Sequence, residues 1–206
     1  RFLRGINVLD ISEGVAGPFC AKLLSDMGAD VIKVERPGSG DSSRLVGPFL
    51  NNLPDSEMSP SFFFLNTGKR SIELDIKAPD DLSIFYRLIE SADVFITNIP
   101  RMASLLRAQI DPDTLKGLNS RLIYAAISGY GHTGPKANRG GYDIIAQGEA
   151  GLMALTGDKE GGPIRFPTPM ADITAGIYTV IGILTALYTR DEGKEGSGRG
   201  QFIDVS

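Results

Sequence analysis

Two hydrophobic rhythms alternate along the chain. Short runs rich in apolar and β-branched residues read as strands. They are "INVLDIS" (6–12), "ADVIKVE" (29–35), "SIELDI" (71–76), "DVFITN" (93–98), "RLIYAAIS" (121–128) and "QFIDVS" near the end. Between them lie stretches with helical spacing. "FCAKLLSDMG" follows a glycine turn, with Pro18 suited to a first helical turn and Gly28 to its end. "PDDLSIFYRLIESA" (79–92) starts at Pro79, a short helix falls near 101–108, and "GYDIIAQGEAGLMALTG" reads as helical up to Gly157. The last helix is predicted from about Ile173 to Thr189. Strand, glycine turn, helix and strand within the first 35 residues form a right-handed βαβ unit, and the pattern then repeats. The expected fold is therefore α/β and Rossmann-like: a mostly parallel sheet with helices on both faces, in one domain over residues 1–206.

Two segments break the rhythm. Residues 36–61 form a long irregular stretch, of a length that often carries function. "RDEGKEGSGRG" (190–200) reads as a charged, glycine-rich surface connection. The chain opens at Arg1 and stops after a strand-like run, which predicts a piece of something longer.

Charge and composition narrow the function classes. With 21 basic and 25 acidic residues the net charge is −4, which lacks the basic face that general nucleic-acid binding needs. The one cysteine, Cys20, rules out an internal disulfide and points to a reducing compartment. It sits in "PFCAKLL" and reads as a buried structural thiol. His132 is the one histidine, and no CxxC or HExxH occurs, so no metal site is expected. The apolar stretch 166–189 has the length of a membrane span. Pro167 and Pro169 break its start, and the reading is a helix buried on most sides of a soluble core.

In a parallel sheet, ligands gather at the carboxyl ends of the strands, so the loops after each strand hold the candidate chemistry. "SEGVAGP" could bring backbone close to a ligand because Gly14 and Gly17 lack side chains, but it is not GxGxxG. Glu35 mimics the ribose-binding acid of NAD enzymes, yet Arg36 follows it at once. Arg36, Lys69, Arg70, Lys77, Arg101, Arg107 and Lys136 lie in or next to these loops, where several converging cations would suit a phosphate-bearing ligand. Asp172 is the lone charge between Phe166 and Thr189, at the mouth of the last helix. Such an acid can serve as a helix N-cap or as a reactive carboxylate, and a helix N-terminus favours its ionised form.

Several segments together, "GADVIKVERPGSGD", "NTGKRSIELDIK", "ISGYGHTGP" followed by "GGYDIIAQGEAGLMALTG", and "GRGQFIDVS", resemble the family III coenzyme A-transferases. The superfamily also holds 2-methylacyl-CoA racemases. The resemblance runs along the whole chain and implies the N-terminal half of a protein about twice as long. It implies transfer of CoA from an acyl-CoA to a carboxylic acid through aspartyl anhydride and thioester intermediates, with Asp172 as nucleophile. CoA is then a substrate, with no permanently bound cofactor.

The CoA contacts the resemblance implies are these. Val15 and Ala16 lie in the first turn, where family members often carry glutamine at the Val15 position. Arg36 meets the nucleotide end, and Leu74, Asp75, Ile76 and Lys77 lie beside the adenine. Asn98, Ile99 and Pro100 form the next loop. Arg107 is a phosphate contact with Arg101 as its rival, and Gly129 and Tyr130 line the pantetheine path. The implied partners are acyl-CoA and a small carboxylic acid, with an interlocked homodimer when full length, and neither nucleic acid nor membrane. The implied location is cytoplasmic, or the mitochondrial matrix or peroxisome in a eukaryote.

Two other readings stay open. One is a 2-methylacyl-CoA racemase or isomerase, although Tyr142 stands where those enzymes carry a histidine, and a tyrosine is a poor base at neutral pH. The other is a CoA-binding piece without turnover.

Overall fold

The computed structural model describes residues 2–191 and 197–206. Six strands, β1 (Asn7–Asp10), β2 (Asp30–Glu35), β3 (Arg70–Glu73), β4 (Val94–Thr97), β5 (Ile123–Ile127) and β6 (Phe202–Val205), form one sheet in the order β3-β2-β1-β4-β5-β6. Every pairing is parallel. The order reverses between β1 and β4, which is the switch point where doubly wound sheets bind ligands.

Eight α-helices are described: α1 (Ala16–Asp26), α2 (Pro60–Asn66), α3 (Pro79–Ser91), α4 (Met102–Arg107), α5 (Pro112–Leu118), α6 (Asp143–Glu149), α7 (Leu152–Thr156) and α8 (Met170–Asp191). Successive strand residues point to opposite faces, so each strand feeds two cores. Val8, Val94, Ile96, Ile123 and Ala125 pack with Cys20, Leu24, Val180 and Ile183 of α1 and α8. Leu9, Phe95, Tyr124 and Ala126 pack with Phe85, Ile89, Leu105 and Leu115 of α3, α4 and α5. Both faces are thus covered, as the continuous apolar runs require.

The differences from the sequence reading have local causes. α1 begins two residues before Pro18, which sits in the first turn where its missing N–H has no intrahelical partner to lose. The hydrophobic pattern does not predict α2 and α5. Each starts from a capping side chain and a proline: Ser59 Oγ accepts from Phe62 N before Pro60, and Asp111 Oδ1 accepts from Thr114 N before Pro112. The helix read through Gly157 is two helices, parted at Gly151, whose φ of 80° is left-handed.

α8 alone among the described helices is long and apolar enough to cross a membrane by length and composition. It packs on α1, β5, β6 and α6. The expectation that it is buried on most sides is not met. Gly176, Thr179, Val180, Ile183, Ala186 and Leu187 face the core, while Ile177, Tyr178, Ile181 and Tyr188 are exposed. Of the predicted 190–200 connection, residues 192–196 lie outside the described residues.

Candidate functional site

Because the sheet is parallel, the loops after β1 to β5 emerge at one edge, beside the end of β6. They are fixed there by buried charge. Burial alone would raise the Asp10 carboxyl, but Lys69 and Lys33 beside it hold it below its ordinary value. Lys69 Nζ donates to Asp10 Oδ2 at 2.9 Å, to the Pro18 carbonyl and to Asn66 Oδ1. Lys33 Nζ donates to the Ser12 carbonyl at 2.7 Å and pairs with Asp41 at 2.8 Å. Asp41 in turn accepts from Gly14 N, and Ser12 hydrogen-bonds Asp10. The first loop is therefore anchored from beneath. A Cβ on Gly17 would lie 2.2 Å from that of Ser12, so Gly17 serves this turn's own packing rather than an open approach for a ligand. Gly14 keeps its open side and a φ of 76°.

Across the switch point the first loop is tied to the loop after β4. Asn98 Nδ2 donates to the Glu13 carbonyl at 2.6 Å, and Asn98 Oδ1 accepts from Glu13 N at 3.1 Å. The Glu13 side chain pairs with Arg36, which is largely exposed. Further along, the backbones of Gly129 and Gly141 touch: a Cβ on Gly129 would stand 2.5 Å from the Gly141 Cα. That contact sets the "GY" turn against the segment leading into α6.

α6 then builds the entrance to α8. Asp143 and Gln147, one helical turn apart, are both buried. Asp143 Oδ1 accepts from Ala171 N at 2.9 Å, and its Oδ2 accepts from Gln147 Nε2 at 2.6 Å. Gln147 Oε1 accepts from Phe166 N, and its amide reaches the carbonyls of Phe166 and Thr168. Arg165 lies 3.7 Å from Asp143. The cap of α8 thus comes from Asp143, and Asp172 sits inside the first turn rather than at the N-cap. Its carboxyl makes no hydrogen bond or ion pair among the described residues. Burial, followed by the charge of Asp143, pushes it up to about 6, with Arg165 opposing. Burial and a like charge both disfavour the ionised form, opposite to the pull of a helix N-terminus.

The remaining candidates fall as follows. Val15 caps α1 without a side-chain bond and Ala16 opens it. Leu74 is buried in the core, so only its backbone faces the edge, while Asp75 and Lys77 are exposed. The loop at Asp75 is closed by Asp75 N donating to Asp81 and Lys77 N donating to Asp75. Ile76, Ile99 and Tyr130 are half-buried and Pro100 is exposed. Arg101 stands at the start of α4, directly after the loop, and Arg107 at its far end, bonded to Ser104.

Three predicted cations are elsewhere engaged. Lys69 is buried on Asp10, Arg70 pairs with Asp30 at the opposite end of the sheet, and Lys136 pairs with Glu149. Cys20 is buried, its thiol pushed well up by burial, in keeping with a structural role. No group of acids, histidines and cysteines able to hold a metal occurs among the described residues. The two clefts of note, about 190 Å³ between β1, β2 and α3 and about 420 Å³ between α4, α5 and β6, do not include Asp172.

The sequence reading missed Asp143 and Gln147. Their i, i+4 spacing in "YDIIAQ" was a usable signal. Lys33, the one polar position flanked by apolar ones in β2, was another.

This arrangement has close relatives. The chain is 42% identical over 206 residues to a succinate–glutarate CoA-transferase of Agrobacterium fabrum, which covers 99% of this chain and 50% of that protein. It is 39% identical to an acetyl-CoA:oxalate CoA-transferase of Acetobacter aceti, over 98% of this chain and 50% of that one. Among solved structures, a CAIB/BAIF family protein from Brucella suis superposes with a TM-score of 0.89 at 40% identity, over 98% of this chain and 52% of that one. The chain therefore spans about half the length of the relatives it matches. The sequence profile described as CoA-transferase family III matches residues 3–206, and the chain belongs to that family.

Proposed function

We propose that the protein carrying this chain transfers CoA from an acyl-CoA thioester to a small carboxylic acid, with Asp172 as nucleophile, and that residues 1–206 are its CoA-binding domain. The observation that carries this reading is Asp172 itself: a carboxylate without a partner among the described residues, in the first turn of an apolar helix, with its pKa raised to about 6. Above that pH it is ionised yet poorly solvated, which favours attack on an electrophile.

An Asp172 oxygen attacks the thioester carbonyl carbon. The C–O bond forms, the C–S bond breaks, and CoA leaves as thiolate. The thiolate attacks the aspartyl carbonyl of the resulting anhydride, releasing the donor acid and leaving an aspartyl-CoA thioester. The acceptor carboxylate repeats the first exchange on that thioester, and the thiolate then takes the new acyl group. Asp172 is regenerated, with no net proton or electron change. The apolar surround of α8 slows hydrolysis of the anhydrides.

CoA lies along the carboxyl edge in this reading. Val15 and Ala16 approach by backbone, Arg36 and Arg101 or Arg107 meet phosphate, residues 74–77 flank the adenine, and Asn98–Pro100 with Gly129 and Tyr130 follow the pantetheine. The names of the relatives favour a short dicarboxylic acid as acceptor, with a succinyl or acetyl donor. The exposed apolar face of α8 supports burial against further protein, as in an interlocked homodimer. One free, buried cysteine suits a reducing compartment such as the cytoplasm.

The test is chemical trapping. Full-length protein incubated with acyl-CoA and then borohydride or hydroxylamine is expected to carry the modification at Asp172, read by peptide mass spectrometry. A label at another carboxylate, or full transfer activity in Asp172→Ala, would remove Asp172 from the reaction.

A further inference from the structure

His132 follows the Gly129–Tyr130 turn, and its side chain is 1% exposed. Its Nδ1 faces Asp204 Oδ1 at 2.8 Å, and its Nε2 faces the Ile99 carbonyl at 3.2 Å. Both neighbours are acceptors, so whichever ring nitrogen carries a proton has a partner to donate to, and the ring is wedged between the two. Its backbone N–H also donates to Asp204 Oδ2 at 2.7 Å, so one carboxylate on β6 holds residue 132 twice. The Phe202 ring packs against the imidazole at a centroid distance of 6.3 Å.

These contacts join three loops. Asp204 belongs to β6, His132 to the loop after β5, and Ile99 to the loop after β4. Asn98, next to Ile99, makes the paired bonds to Glu13 in the loop after β1, and Glu13 pairs with Arg36 after β2. A continuous line of polar ties thus crosses the carboxyl edge over five neighbouring strands. His132 is its single side-chain link between β6 and the switch point. It has no exposed nitrogen with which to meet a substrate.

We propose that His132 is a positioning residue that sets the Asn98–Pro100 loop for CoA by clamping the Ile99 carbonyl to Asp204. The inference rests on the CoA reading above for its consequence, but the clamp itself does not. Substitution by asparagine places a donor near the Nδ1 position and leaves Ile99 unheld. Substitution by glutamine reaches the Nε2 position.

The experiment compares full-length wild type, His132→Asn and His132→Gln by amide hydrogen exchange without ligand and by steady-state transfer kinetics. His132→Asn is expected to speed exchange at residues 98–101 while the core amides of β4 and β5 keep their protection. It is also expected to raise KM for acyl-CoA about tenfold, the equivalent of one hydrogen bond, with kcat within about twofold. His132→Gln should recover most of both effects. Unchanged exchange at 98–101, or lost protection throughout β4 and β5, overturns the clamp. Altered exchange with unchanged KM, or with kcat lowered instead, overturns the positioning role. A wild-type protein that transfers no CoA would sink the functional reading, while the exchange arm would still decide the clamp.

Discussion

At the scale of single residues, Asp172 carries the most chemistry. Its carboxyl titrates near 3.8 in the unfolded chain and is raised to about 6 in the fold by burial and by Asp143. A raised acid favours its protonated form when folded. The stability linked to it is therefore complete below about pH 4 and is lost as pH rises through 6. Asp172→Asn should accordingly raise Tm at pH 7.5, and the gain should vanish near pH 4. With a discount for partial exposure the gain is about 1–2 kcal/mol, or several degrees at about 2–4 °C per kcal/mol for a domain of this size. In the proposed reaction only the ionised form attacks, so kcat/KM of the wild type should fall as pH drops through about 6. Asp143→Asn keeps an acceptor for Ala171 N while removing the charge, so it should shift that midpoint downward. A midpoint near 4 in the wild type, or one unmoved in Asp143→Asn, would contradict this account. The isolation of Asp172 in an apolar run was legible in the sequence. The neighbour that tunes it was not, because Asp143 reaches it only through the docking of α6 on α8.

At the scale of elements, the close approach of the loops after β5 and before α6 is set by two glycines. Gly129→Ala would put a methyl 2.5 Å from the Gly141 Cα, with backbone and not a flexible side chain in the way. Overpacking of this kind costs about 1–3 kcal/mol. The variant is expected to melt earlier and to lose transfer activity, since the displaced segment leads directly into Asp143. Thermal melting unchanged within error would show that the turn yields freely. The central strands were legible because buried parallel strands are continuous apolar runs, the edge strands β3 and β6 because apolar and polar positions alternate, and five of the six were placed within two residues of their observed ends. The short helices were not, since seven residues give too little periodicity. Their caps, Ser59–Pro60 and Asp111–Pro112, were the signal available. Nor could periodicity show that α8 buries only one side, because its exposed face is as apolar as its packed one.

At the scale of the whole molecule, the competing chemistry is proton transfer at the α-carbon of an acyl-CoA. Such a reaction needs a base and an acid on opposite faces of that carbon. Asp172 could serve as one. Tyr142, where the resemblance places the histidine of the racemases, is 81% exposed, outside any desolvated surround. His132, the chain's one histidine, has both ring nitrogens engaged by Asp204 and Ile99. Neither is poised for that proton, and the second carboxylate beside Asp172, Asp143, is already bonded to Ala171 N and Gln147. Transfer of CoA as proposed needs neither step, only a carboxylate nucleophile and an acceptor acid. Full-length protein incubated with a 2-methylacyl-CoA in deuterated water is expected to leave the α-position unlabelled. Addition of a short dicarboxylic acid should instead yield its CoA ester, followed by mass spectrometry. Rapid deuterium uptake at the α-carbon with no acceptor present would mean that a base outside this chain completes a racemase site, and that Asp172 works as an acid–base group instead of a nucleophile.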